Sequence, residues 1–249
     1  MSNEQHFSIL NAKNCFLTGA TGGLGEQLAT QLANKNCNLF LTSSNKQNLS
    51  ILAKKVQRTN NSVFYHDGDL SSIDDIKNII TKSRSVFQHI DILINCAGIL
   101  PIKLLSESTL SDYEKCFSIN LKAPFIFTKE FSSDMKKQNW GRIVNIASSG
   151  AYNGQKRTLL YRASKHALLG LSKACHKELR DYNVRTYCIS PGPMKTRMGE
   201  DIVPKLNKDE NYHTFIDPKD VAEFIVHLIS FDSELFAEEI RLQRIQGEK

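Results

Sequence analysis

The chain has 249 residues, 41% hydrophobic and 23% charged, a composition that fits one globular core and predicts a single domain over residues 1–249. Its formal charge of +6 is spread along the sequence, with no basic tail and no aromatic-basic interleaving, which excludes a dedicated nucleic-acid binder. No apolar run reaches membrane-spanning length and the polar start lacks a signal-peptide core, so a cytoplasmic chain with no membrane partner is expected.

Cys15, Cys37, Cys96, Cys116, Cys175 and Cys188 lie far apart with no Cys-x-x-Cys pair, and all six are expected to be reduced. The histidines show no metal spacing with one another or with cysteine, so no metal site is predicted.

The first predicted strand, Asn14–Thr18, runs directly into Thr18-Gly-Ala-Thr-Gly-Gly-Leu-Gly25 and then into a helical pattern over Leu24–Asn34. Glycines between a strand and a helix let the backbone turn sharply and approach a pyrophosphate, which the helix N-terminus favours through unpaired N–H groups and a partial positive charge. A second strand, Asn38–Thr42, leads through Ser43-Ser44-Asn45 to a helix at Lys46–Arg58, and a third, Ser62–His66, through Asp69-Leu70 to a helix at Ile73–Phe87. The fourth strand, Ile90–Asn95, ends in Asn95-Cys-Ala-Gly98 and precedes a long helical pattern, Leu110–Lys137. Asn120 sits in the middle of that pattern although asparagine is a poor helix former.

The fifth strand, Arg142–Ala147, stops just before Ser148, and the next helix, Leu160–Tyr182, opens with Tyr161 and Lys165 on one face. A lysine ammonium beside a phenol favours the phenolate and lowers its pKa, and such a tyrosine can give a proton to a carbonyl oxygen or take one from an alcohol. Alone, Tyr-x-x-x-Lys is an ordinary helix-surface pair. After the sixth strand, Arg185–Ser190, the segment from Pro191 to about Phe215 is rich in proline, glycine, lysine and asparagine with weak periodicity, and is read as a substrate lid. Asp217-Pro218 starts a last helix, Pro218–Ser230, with a capping side chain and proline at the first position, and a seventh strand lies near Glu239–Arg244. Strands alternating with amphipathic helices predict an α/β fold, a doubly wound parallel sheet of about seven strands.

Thr18-Gly19-x-x-x-Gly23-x-Gly25, Asp69-Leu70, Asn95-Cys-Ala-Gly98, Asn120, Ser148, Tyr161-x-x-x-Lys165 and Pro191-Gly-x-x-x-Thr196, in this order, resemble the single-domain branch of the short-chain dehydrogenase/reductase family. The resemblance spans roughly residues 13–198 and implies a Rossmann fold and hydride transfer between a nicotinamide dinucleotide and a carbonyl or alcohol. By it, Thr18, Gly19, Thr21, Gly23, Leu24 and Gly25 hold the cofactor, Asp69 and Leu70 border the adenine, and Asn95, Ala97 and Gly98 line it. Pro191, Gly192 and Thr196 flank the nicotinamide. Tyr161 is the acid or base, Lys165 tunes it and binds the ribose, Ser148 orients the carbonyl, and Asn120 holds a water in a proton relay to Lys165. Asp69 could instead cap the helix starting near Ser72, and Gly98 could merely turn the chain. Cys96 stands where the family usually has a second asparagine.

An acid after the second strand would bind the ribose hydroxyls of NAD and repel a 2′-phosphate. None is present, while Ser43 and Ser44 can donate and Lys46 adds charge, so NADP is favoured with NAD as the alternative. The arginine many NADP-using relatives carry is absent, Gly22 standing at one of its positions. Trp140-Gly-Arg-Ile-Val resembles the 3-oxoacyl-[acyl-carrier-protein] reductases, whereas Glu238-Glu-Ile-Arg-Leu-Gln-Arg-Ile departs from their glycine-rich ending. The family also implies a homodimer or homotetramer built on the two long helices. The rival readings are a non-catalytic NADP-binding sensor or scaffold and a sugar-nucleotide-modifying reductase or epimerase.

Overall fold

The computed structural model describes residues 9–206 and 212–245. Seven strands form one parallel sheet in the order β3-β2-β1-β4-β5-β6-β7. They are β1 Asn14–Thr18, β2 Asn38–Ser43, β3 Val63–Asp67, β4 Ile92–Asn95, β5 Gly141–Ile146, β6 Val184–Pro191 and β7 Glu239–Leu242. Helices α1 Gly23–Asn34, α2 Lys46–Val56, α3 Ile73–Val86, α4 Leu110–Phe117, α5 Ala123–Gln138, α6 Leu159–Leu179, α7 Arg197–Leu206 and α8 Pro218–Ile229 connect them.

The central strands are apolar on both faces because both faces are covered, as parallel sheets require. Along β1 the period of two sends Cys15 and Leu17 to one core, with Leu28 and Leu32 of α1 and Ile225 and Ile229 of α8. Phe16 goes to the other, with Phe127 and Phe131 of α5 and Ile76 and Ile79 of α3. Phe16 stacks on Phe40 at 5.3 Å and packs against Phe127 and Phe131 at 4.9 and 4.8 Å between ring centroids. The six cysteines are free thiols.

Two expectations need correction. The pattern Leu110–Lys137 is not one α-helix: a π-helical turn, Ser118–Lys122, separates α4 from α5. Pro124 has no N–H for the carbonyl of Asn120 four residues earlier, so an unbroken α register cannot run through this point. The segment 191–215 is not irregular throughout, since it contains α7 and a 3₁₀ turn, Tyr212–Thr214. Gly199 and Pro204 lower the helix propensity of α7 and hid it, while the Thr196 hydroxyl helps start it by accepting from Gly199 N–H at 3.2 Å. Residues 207–211 of this expected lid lie outside the described residues.

Candidate active site

Strand order reverses between β1 and β4, and ligands of open α/β sheets bind in the crevice beyond the carboxyl ends at such a point. The register puts Thr18 beside Asn95 and Asn95 beside Asn145, so three strand ends arrive there at one level. Their polar side chains tie the loops together. The buried Thr18 hydroxyl accepts from the backbone N–H groups of Cys96 and Ala97, both at 3.1 Å. Asn95 donates to Asn145 at 2.8 Å, and Asn145 donates to Ser172 of α6 at 2.9 Å.

The glycine loop is compact for a reason visible at two positions. Gly19 has φ +65°, and a Cβ there would lie 2.7 Å from the Ala97 Cα. A Cβ at Gly25 would lie 2.1 Å from the Gly19 carbonyl oxygen. Gly23 faces Thr196, bringing the segment after β6 against the loop, and Leu24 is buried behind it. No side chain caps α1, α5 or α6, whereas Asn45, Ser72, Thr109 and Asp217 cap α2, α3, α4 and α8. An uncapped N-terminus under a loop without bulky side chains suits a pyrophosphate.

At the end of β2, Thr21 donates to Ser43 Oγ at 3.0 Å and the Asn45 N–H reaches the same oxygen at 3.3 Å. Ser43 is therefore buried with its own proton still to donate, while Ser44 is exposed. Asp69 does not cap α3; Ser72 does. The Asp69 carboxylate accepts from Ser71 N–H at 2.8 Å, and that bond holds it below the usual carboxylate range. Leu70 is buried beside it. Pro191 is buried at the end of β6, and Gly192 N–H donates to Leu242 at 2.8 Å.

The four residues of the catalytic pattern come together from three elements: the π turn, the turn after β5, and α6. Asn120 is fully buried in the π turn and mimics a peptide group, accepting from Ile99 N–H at 2.9 Å and donating to Ile99 C=O at 3.0 Å. Its amide also donates to Ser164 Oγ at 2.9 Å, and Ser164 donates to the Tyr161 carbonyl at 2.7 Å. Ser148 caps the 3₁₀ turn Ser149–Ala151, its hydroxyl accepting from Gly150 N–H at 3.0 Å. Lys165 is buried and donates to the Ile146 carbonyl at 2.7 Å, with Nζ 5.8 Å from the Tyr161 ring centroid. A Cβ at Gly98 would sit 3.4 Å from both Lys165 Nζ and Asn120 Oδ1, so the bare backbone keeps that space open.

The electrostatics correct one expectation. Burial pushes the Tyr161 phenol above its ordinary value, against the opposing pull of a hydrogen bond with Ser148 and the nearby Arg162 cation. Burial also brings Lys165 down to about 8, with the thiols of Cys96, Cys188 and Cys116 acting in the other direction. The lysine meant to lower the tyrosine is thus itself drawn towards neutrality, because desolvation penalises any charge at this depth.

Ser164 and Arg162 were not legible as partners of this site. Arg162 ties the loop before Tyr161 together, donating to Thr158 Oγ1 at 2.8 Å, to the side chains of Asn153 and Gln155, and to the Asn153 carbonyl at 3.1 Å. Its place directly after Tyr161 is the only trace in the sequence. No group of three metal-ligating side chains occurs among the described residues, and none of their helices is long and apolar enough to cross a membrane.

The short chain dehydrogenase family model matches residues 13–207. The chain belongs to that family, a class of NAD(P)-dependent oxidoreductases. Among its relatives, a 3-oxoacyl-[acyl-carrier-protein] reductase of Aquifex aeolicus is 30% identical over 89% of this chain and 91% of its own length. A metagenomic short-chain oxidoreductase solved in complex with NADP superposes with a TM-score of 0.82 at 25% identity, covering 95% of this chain and 99% of that one. An NAD+-bound xylitol dehydrogenase gives a TM-score of 0.84 at 25% identity, covering 94% and 98%.

Proposed function

We propose that the protein interconverts a ketone or aldehyde and the corresponding alcohol, using NADP in preference to NAD. The observation that carries this reading is the convergence of Ser148, Tyr161, Lys165 and Asn120 beside Gly98, at the same sheet end as the uncapped α1 and its glycine loop.

The residues present fit the cofactor. Thr18, Gly19, Thr21, Gly23, Leu24 and Gly25 would hold the pyrophosphate end, Ser43 and Ser44 the 2′-phosphate, Asp69 and Leu70 the adenine edge, and Asn95, Ala97, Gly98, Pro191, Gly192 and Thr196 the nicotinamide end. A bound nicotinamide dinucleotide supplies or accepts the hydride. Ser148 holds the substrate oxygen, a polar contact aimed at developing negative charge. Tyr161 gives its phenolic proton to that oxygen on reduction and takes it back on oxidation. Lys165 binds the ribose and, when charged, stabilises the phenolate. Asn120, through Ser164 and Ile99, keeps the π turn and the Gly98 loop in place for proton exchange with Lys165.

The segment 191–215 acts as the substrate lid over a single domain. Leu110, Tyr113 and Phe125 on α4 and α5, with Leu159 on α6, expose apolar surface that supports a homodimer or homotetramer.

The test is thermal unfolding against NADPH and NADH, with turnover of Tyr161→Phe. A ligand at a hundredfold excess over its Kd stabilises by about 2.7 kcal/mol, which in a chain of this size raises Tm by roughly 5–10 °C. NADPH is expected to give the larger shift, and a larger shift with NADH would overturn the preference. Tyr161→Phe should bind NADPH as before and lose turnover at least a thousandfold. Retained turnover would sink the mechanism, and no shift with either nucleotide would sink the reading.

A further inference from the structure

The C-terminal tail reaches four segments around the candidate active site. Its strand β7 lies at the edge of the sheet beside β6. From it, the Arg241 guanidinium stacks on the Tyr152 ring, with Cζ 3.3 Å from the centroid. Tyr152 directly follows the turn that Ser148 opens, and its hydroxyl donates to Ser190 Oγ at 3.0 Å, at the end of β6. The Leu242 carbonyl accepts from Gly192 N–H at 2.8 Å, and Arg244 donates to the His213 carbonyl at 2.7 Å, near the end of the segment 191–215. Glu239 pairs with Lys173 at 2.6 Å, on the helix that carries Tyr161 and Lys165, and with Arg241 at 3.4 Å.

We propose that Arg241 and Tyr152 are positioning residues: the tail, through the Arg241–Tyr152 stack, sets where the Ser148 turn stands relative to Gly192 and so fits the site to its carbonyl substrate. This rests on the reading of Ser148 as the group that holds the substrate oxygen. The short turn Ser149–Ala151 has few bonds of its own, chiefly Gly150 N–H to Ser148 Oγ and Ala151 N–H to the Ser148 carbonyl at 2.9 Å. Its next residue is therefore where an outside element can set its position. Tyr152 is held on its face by a planar cation and at its tip by Ser190, with Glu239 also bonded to its side chain. Glu239 in turn restrains the guanidinium, which an exposed arginine otherwise lacks. Arg241 touches no reacting group, so it acts through its neighbours, Tyr152 above all.

The experiment compares full-length wild type with Arg241→Ala, Arg241→Lys, Tyr152→Ala and Tyr152→Phe by hydrogen–deuterium exchange, calorimetric NADPH binding and steady-state reduction of 2,3-butanedione. Both alanine variants are expected to speed exchange at least threefold in peptides over residues 149–153, with the rest of the sheet unchanged and NADPH affinity within twofold. KM for the diketone should rise about tenfold with kcat within threefold; Arg241→Lys, which keeps the charge without the planar stack, and Tyr152→Phe, which keeps the ring without the Ser190 bond, should each restore part of both. Unchanged exchange at 149–153, or an increase spread evenly over the sheet, would overturn the proposal, as would an unchanged KM. If wild type binds no dinucleotide, the proposed function fails, while the exchange pattern still decides whether the tail positions the Ser148 turn.

Discussion

At Lys165, burial works against the charge that its motif calls for. Its pKa is lowered by burial to about 8, whereas in the unfolded chain it stays near the ordinary 10.5. Between those values the unfolded state binds more protons than the native one, so stability rises as pH increases through this window. Below pH 8 the native state carries the full cost of a buried ammonium. Lys165→Met removes this contribution, and its urea stability should rise less steeply with pH than that of wild type, by about 1 kcal/mol between pH 8 and 9. Parallel curves would show that the ammonium is not desolvated. Taking the difference between the two proteins cancels Cys15, whose raised value pulls the other way at higher pH, but not Cys96, which the Lys165 charge itself lowers.

Gly22 carries a second prediction at this scale. It has an ordinary φ of −76°, and the only nearby atom its Cβ would meet is the Gly19 carbonyl oxygen at 3.3 Å. Gly22→Arg fits this φ once the Gly19 carbonyl yields slightly, and the added guanidinium can pair with a 2′-phosphate. The ratio of NADPH to NADH affinity, measured by calorimetry, should increase about tenfold. An unchanged ratio would place the 2′-phosphate elsewhere.

Among the elements, the break between α4 and α5 is the most informative. Pro124 was visible inside the predicted helix Leu110–Lys137, yet periodicity passed over it because the apolar face resumes beyond the break. The π turn brings Asn120 inward, where it satisfies both backbone groups of Ile99 and meets Ser164. Asn120→Ala takes this partner from the part-buried Ile99 groups and the buried Ser164 hydroxyl, at about 1–3 kcal/mol for a group that water does not reach. Denaturant unfolding should show a loss of at least 2 kcal/mol, and Ser164→Ala added to it should cost less than it does in wild type. A full additive loss would mean that the Asn120–Ser164 bond contributes nothing.

For the whole molecule, the aromatic packing on one face of the sheet joins strands and helices far apart in sequence. Phe16 is fully buried among Phe40, Phe127 and Phe131. Phe16→Ala should cost about 3–5 kcal/mol, since the surrounding rings cannot collapse fully onto the void. The corresponding fall in Tm is roughly 6–20 °C by differential scanning calorimetry, and a fall under 2 °C would mean that the core closes over the gap.

The sequence by itself determined the alternation of strands and helices, the Gly19–Gly25 turn after β1, and the arrival of Ser148, Tyr161 and Lys165 near one sheet end. Those features rest on periods of 2 and 3.6 residues and on the fixed direction of parallel strands, both local rules. The helix α7 escaped because Gly199 and Pro204 oppose its local propensity. Tertiary structure alone decided that Lys165 is drawn towards neutrality, that Asn120 pairs with Ile99 and Ser164, and that Arg241 lies on Tyr152. Desolvation and side-chain pairing depend on groups brought together from distant positions, and no local period encodes which of them will meet.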